Sequence, residues 1–432
     1  MTSLIRRGLL TGGGVALTAG LLSSRGAAAE QLATGASERE ATRPRREPLD
    51  PLRKLARLAA AANAPRFRPV LPNPPAIAAV ADPDIGLPNR WRWDDAIRGQ
   101  LFSYNGQIIV DAGMLAVKGA TINGVSARQG ARITFLADCV KLGMMNKWDF
   151  VPASEPIDWP RFIVDGQYVD FVGTEPHAAG SNGFVFDWTH AGGRALRRIT
   201  VELSGNSRFA HLSVGPTESI KPIGGESLKF VVMTDSYGDG HSADNFADVW
   251  PRHLGDLLGA TAVDIRAIGG TGLIAGAPNR AKDRIQDIIT AGADIILWAI
   301  GSNDINMPVA DVTAAQTEAL RTIRADARTA MTPIFVFGNW THSSGPNAAH
   351  FINEATLFAG AAALNDPLIF TVPVCSLAGG PLMSGTGHVG APNNSGSTDI
   401  YIAPGGHPTT AGHLFMARIF AGEILQIVSR VI

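Results

Sequence analysis

Cysteine is scarce in this chain: 432 residues contain two, Cys139 and Cys375. That excludes a fold stapled by disulfides and a zinc site built on four thiolates, and no H-E-x-x-H motif offers the metal another seat. The two thiols either pair in an exported protein or stay apart as buried thiols, because spacing along a chain does not report distance. Charge is thin as well. Charged residues make up 17 % and the formal net charge is −1, so no basic surplus is available to follow a nucleic-acid backbone. What the chain has in quantity is apolar residues, 45 % of the total, enough for a large core and for two domains.

Residues 1–29 read as an export signal. Arg6-Arg7-Gly8-Leu9-Leu10 is a twin-arginine pattern, a short Gly/Ala-rich stretch runs to Leu22, and Ala27-Ala28-Ala29 offers a small-residue cleavage site before Glu30. The apolar stretch is too short, and too interrupted by glycine, to span a bilayer. An exported protein, periplasmic or extracellular, with no stable membrane anchor after signal cleavage is therefore expected. Residues 30–90 are rich in Ala, Pro and Arg and poor in aromatics. They are expected to form a disordered tether, with a short helix over 52–62 as an option.

Two patterns follow. In 91–222, Ile199, Val201 and Leu203 alternate with Arg198, Thr200 and Glu202, the period of a half-buried strand. Similar short runs at Arg161–Val164, Tyr168–Val172 and Phe184–Trp188 are separated by turn residues. They predict an antiparallel β-sandwich or jelly roll. Phe184, Phe186 and Trp188 suit its core better than a sugar-stacking platform. In 228–432 the rhythm is strand, loop, helix. Apolar runs at Phe230–Met233, Val263–Ile268, Ile295–Ile300, Ile334–Phe337 and Ile369–Val372 predict five buried parallel strands. A helix starts at Pro251, and another follows Thr409. The fold class expected is α/β: a doubly wound α/β/α sandwich with a mostly parallel five-stranded sheet, whose ligands sit at the carboxyl ends of the strands.

Four polar points fall at or beyond such ends: Thr234-Asp235-Ser236, Gly269-Gly270-Thr271-Gly272, Gly301-Ser302-Asn303-Asp304 and His407-Pro408-Thr409. Together they supply a hydroxyl nucleophile, oxyanion donors and a base for acyl transfer. Singly each is weak; an Asp-Ser pair after a strand is usually only a turn. The glycine block does not complete G-x-G-x-x-G, since Ala275 stands at the third glycine, so no dinucleotide or other cofactor is expected. No G-x-S-x-G elbow occurs either.

This ordered set, covering roughly residues 228–432, resembles the SGNH, or GDSL-type, hydrolase superfamily. The resemblance implies Ser236 as nucleophile, Gly270 and Asn303 as oxyanion donors beside the Ser236 N–H, and His407 as base. Two departures stand out. Thr234 replaces the glycine of the Gly-Asp-Ser-Leu block, and Pro404 occupies the position where the family places an aspartate three residues before the histidine. Three explanations are open: a backbone carbonyl orients the imidazole, Asp399 reaches in from earlier in the loop, or hydrolytic activity is lost. His241 and His413 have no partner at a meaningful spacing and are read as solvent or core residues. Trp340-Thr341-His342 is a candidate pocket wall, and 376–406 a long loop at the pocket mouth. A β domain ahead of such a hydrolase resembles the layout of carbohydrate deacetylases, which implies an acylated polysaccharide or small ester as substrate. A lipid esterase or thioesterase, and an acyltransferase or glycan-binding protein with a degenerate site, are the rival readings.

Overall fold

The computed structural model describes residues 47–62, 70–92, 103–105, 108–111, 114–117, 121–122, 125–126, 130–148, 159–175, 183–204, 207–221, 223, 227–245, 247–340 and 346–432. The expected export signal and the first part of the expected tether lie outside them. Residues 48–432 form one compact unit.

The α/β region is built on five strands, β1 (Lys229–Thr234), β2 (Ala262–Ala267), β3 (Ile295–Ala299), β4 (Ile334–Phe337) and β5 (Ile369–Val372). All pair in parallel, in the order β2-β1-β3-β4-β5. Around them lie α1 (Asp50–Ala61), α2 (Ser236–Asp239), α3 (Trp250–Leu257), α4 (Ile285–Ile289), α5 (Val309–Ala325), α6 (Ala348–Ala362), α7 (Thr398–Tyr401) and α8 (Thr410–Val431). Successive strand residues feed opposite faces. Phe230, Val232, Leu297 and Phe337 enter one buried cluster with α3 and α8 residues, while Val231, Met233, Trp298 and Val336 enter the other with α4, α5 and α6 residues. A sheet covered on both faces needs near-continuous apolar runs, which is why the strands were legible as such. The caps agree: Pro251 sits in the first turn of α3, and the Thr409 hydroxyl accepts the Gly412 N–H at the start of α8.

Within the expected tether, the helix offered over 52–62 is present as α1, and residues 70–90 are described as part of the fold. α1 buries Leu52 and Leu55 in the α3/α8 cluster, and Ala76–Val80 pairs antiparallel with Gly183–Asp187. Composition misled because two leucines on one helical stripe suffice when a preformed groove receives them. Ahead of the α/β region, most of the described strands between Ala76 and Lys221 form two antiparallel sheets. One carries Ala76–Val80, Gly183–Asp187, Lys141–Trp148 and Ser207–Val214; the other carries Arg161–Val164, Ala195–Ser204, Gly130–Cys139 and Ser219–Lys221. Their facing side chains, Phe135, Met144, Phe162, Phe184, Phe186, Ile199, Val201 and Phe209 among them, make the sandwich core. Phe184, Phe186 and Trp188 are buried there, with Phe162 edge-on to Phe186 at 4.6 Å.

The polar face of the second sheet departs from a solvated face. Glu202 is fully buried and receives Arg132 and Arg161, each at 2.8 Å. Arg161 also grips Asp248 of the α/β region through two bonds of 2.8 and 3.1 Å, and Arg132 reaches Asp256 at 2.6 Å. Burial alone would raise the Glu202 carboxyl, but the two guanidinium groups outweigh it and hold the group at about 2. Cys139 and Cys375 are both buried and free. Among the described residues, no helix is long and apolar enough to cross a membrane, and no cluster of His, Cys, Asp or Glu is arranged to hold a metal.

Candidate active site

Ser236 follows β1 directly and opens α2. Asp235 caps this short helix, its carboxylate accepting the Tyr237 N–H at 3.0 Å. The turn is tight: a Cβ at Gly238 would lie 2.1 Å from Thr234 Cγ2. Thr234 therefore occupies its departure from the family block only because residue 238 has no side chain.

His407 arrives from the other end of the region on a narrow hairpin. Ala403 N–H donates to the His407 carbonyl at 2.8 Å and Thr409 N–H to the Tyr401 carbonyl at 2.8 Å. The tip is a turn in which Gly406 N–H donates to the Ala403 carbonyl, with Pro404 second and Gly405, φ 96°, third. Proline followed by a positive-φ glycine is the type II pattern. Pro404 is thus a turn residue, at the position where the resemblance leads one to seek a carboxylate. The hairpin delivers His407 Nε2 to 2.9 Å from Ser236 Oγ, hydrogen-bond distance for a hydroxyl and an imidazole.

The glycine loop lies beside the serine. A Cβ at Gly269 would stand 3.5 Å from Ser236 Cβ, and Gly270 follows with φ 72°, a conformation open to glycine at little cost. Asn303, after β3, donates through Nδ2 to the Thr271 carbonyl at 2.9 Å and to the Asp235 carboxylate at 3.3 Å. Its amide is therefore held by the glycine loop on one side and by the serine segment on the other. Burial raises the Asp235 carboxyl to about 7, against the opposing pull of its hydrogen bonds.

Residues 233–414 match the family model described as GDSL-like Lipase/Acylhydrolase. This stretch is a GDSL-like lipase/acylhydrolase domain. Among curated proteins none matches the chain. Solved structures share the fold over most of both chains. A salicylyl acyltransferase from a tetracycline biosynthetic pathway is 15 % identical, with a TM-score of 0.58, covering 78 % of this chain and 97 % of that one. A family two carbohydrate esterase from Cellvibrio japonicus is 15 % identical at 0.55, covering 80 % and 99 %. Another, from Clostridium thermocellum in complex with cellohexaose, is 14 % identical at 0.52, covering 76 % and 99 %.

Within this acylhydrolase domain the structure separates the remaining candidates. Asp399 is not brought to His407: its carboxylate accepts the Asn393 N–H at 3.2 Å within the 376–406 loop. Trp340 is buried, stacked on Tyr237 with ring centroids 5.6 Å apart and planes 2° apart. It packs against the serine segment through that ring contact; Thr341 and His342 lie outside the described residues. His413 is a core residue, its Nδ1 accepting the Trp250 N–H at 3.3 Å, and burial lowers its imidazole to about 3. A groove of 770 Å³ lined by Ile274, Lys282, Gln286, Asp311 and Glu318 contains none of Ser236, Gly270, Asn303 and His407.

Three residues escaped the sequence reading. Asp304, buried, accepts the backbone N–H groups of Leu273, Ile274 and Ala275 at 2.5, 3.1 and 2.8 Å, so it pins the glycine loop. Burial pushes its carboxyl upward against these three donors. Glu354 of α6 receives the N–H groups of Asn339, Val374, Cys375 and Ser376, tying together the ends of β4 and β5. His241 is the third. It was read as a solvent or core residue, yet its ring stacks on His407 at 4.9 Å. Asp304 was visible as the neighbour of Asn303; nothing local announced the other two.

Proposed function

We propose that this chain is a serine ester hydrolase that removes acetyl or other short acyl groups from carbohydrate. The observation that carries the reading is the 2.9 Å contact between Ser236 Oγ and His407 Nε2. Ser236 Oγ attacks the ester carbonyl carbon as its proton passes to Nε2. The tetrahedral oxyanion is stabilised by the Gly270 N–H, the Ser236 N–H and the Asn303 amide, which exchanges its longer bond to Asp235, 3.3 Å, for one to the oxyanion. Collapse breaks the bond to the alcohol, which leaves with the proton from His407. Water then attacks the acyl-serine, giving its proton to the same imidazole, and carboxylic acid and free serine are released. No cofactor is called for at any step.

Carbohydrate as the alcohol is supported by the two carbohydrate esterases that share the fold with both regions, one of them seen with cellohexaose. The twin-arginine pattern supports a place outside the cytoplasm, where polysaccharide is met. Ser236→Ala and His407→Ala should each lower turnover of nitrophenyl acetate by about 10⁴ or more. Full activity in Ser236→Ala removes this chemistry from the protein. A chain-length series decides the acyl group: eight-carbon esters cleaved much faster than acetate would favour a lipid esterase. A second reading has one observation in its favour, the likeness to an acyltransferase. The same acyl-serine can pass its acyl group to a hydroxyl acceptor in place of water, and product analysis with added glycan separates the two.

A further inference from the structure

We propose that Tyr237 and His241 are positioning residues that hold the backbone and the ring plane of His407 for proton transfer from Ser236. The inference rests on the reading of Ser236 and His407 as nucleophile and base. An imidazole has two freedoms to lose before it can take a proton from a serine: the placement of its backbone and the rotation of its ring. Tyr237 restrains the first. Its hydroxyl donates to the Gly406 carbonyl at 2.7 Å, the peptide that carries the His407 nitrogen. The phenol is buried and burial raises its pKa, so it remains a donor. Its ring is braced by Trp340 and lies 5.7 Å from the His407 ring.

His241 restrains the second freedom. Its ring covers one face of His407, 4.9 Å away and inclined by 30°. It is steadied in turn by Asp239, whose carboxylate takes the His241 N–H at 3.3 Å and stands 3.5 Å from Nε2. Tyr237, Asp239 and His241 all belong to the segment that begins with Ser236. The nucleophile's own turn thus grips the base, and the two reacting groups hold register even though 171 residues separate them.

The test uses the full chain and nitrophenyl acetate, with Tyr237→Phe, His241→Ala, His241→Phe and Ser236→Ala measured side by side. Tyr237→Phe and His241→Ala should each lower kcat about tenfold with KM within twofold. His241→Phe keeps a flat ring over His407 and should recover most of the loss, whereas a merely structural residue would show matched losses of melting temperature in both variants and no such recovery. The rate constant for labelling of Ser236 by a fluorophosphonate should slow in step with kcat, while the fraction labelled at completion counts the folded protein. Wild-type kcat and labelling in both Tyr237→Phe and His241→Ala, with Ser236→Ala inactive, overturns this inference and leaves the hydrolase reading standing. Wild-type activity in Ser236→Ala overturns both.

Discussion

The two regions use polar residues in opposite ways. In the sandwich, strand alternation sends one face of each sheet to the core; of the polar residues opposite Ile199, Val201 and Leu203, Arg198 stays exposed while Glu202 is buried and tied to the α/β region through Arg132 and Arg161. Glu202, Arg132 and Arg161 are structural there, bonded to one another and to Asp248 and Asp256. In the α/β region the central strands β1, β3 and β4 are apolar on both faces, and the polar side chains of the candidate site lie beyond their carboxyl ends. Ser236, Asn303 and Asp304 sit in that fringe, and His407 is delivered to it. A buried charge in one region holds parts together; in the other, a polar group marks chemistry. Burial alone does not tell the two apart, since Glu202 and Asp304 are equally hidden.

The contrast breaks most sharply at Glu202. Glu202→Gln leaves two buried guanidinium groups short of their counter-charge and should lower unfolding free energy by about 3–5 kcal/mol, with kcat on nitrophenyl acetate unchanged. Denaturant unfolding and kinetics on the same sample check both halves. Because folding depresses this carboxyl to about 2 from an ordinary 4.5, its stabilisation is complete above about pH 4.5 and fades as pH falls toward 2. The variant should lose that part of the acid dependence.

The reverse behaviour is expected of Asn303→Ala: turnover lower by about 10²–10³, or roughly 3–4 kcal/mol in the transition state, with a much smaller change in melting temperature. If stability falls as far as in Glu202→Gln, the amide is structural and the contrast collapses. Gly238→Ala lies between the two. Its Cβ would meet Thr234 Cγ2 at 2.1 Å, and overpacking should cost about 1–3 kcal/mol and shift the serine enough to slow turnover. Adding Thr234→Gly should restore both. Least change is expected at the thiols. Burial raises Cys139 and Cys375 to about 12, so iodoacetamide at pH 8 should label neither until the protein is unfolded, and activity should survive the reagent.

Legibility differed between the regions for a physical reason. The five parallel strands and the α8 cap could be read directly, since a doubly covered strand must be apolar throughout and a helix start needs an acceptor. The helix over 52–62 was open to reading, but its packing was not, because its two buried leucines gain their partners from α3 and α8 residues far along the chain. At the site, the residue types and their order were legible for Ser236, Gly270, Asn303 and His407, and the structure draws Ser236 to His407 and Asn303 to the glycine loop. Asp399, one of the groups considered for orienting the imidazole, accepts the Asn393 N–H within its own loop, a contact that spacing along the chain does not reveal.

By itself the sequence determined periodicity and chemistry: which stretches must be buried, which groups donate, accept or attack, and in what order they come. The tertiary structure alone decided distance. It set Tyr237 beneath Gly406 and His241 over His407, and it covered Glu202 with a second region. Periodicity is a property of neighbours three or four residues apart, whereas a contact across 169 residues exists only once every intervening element has packed.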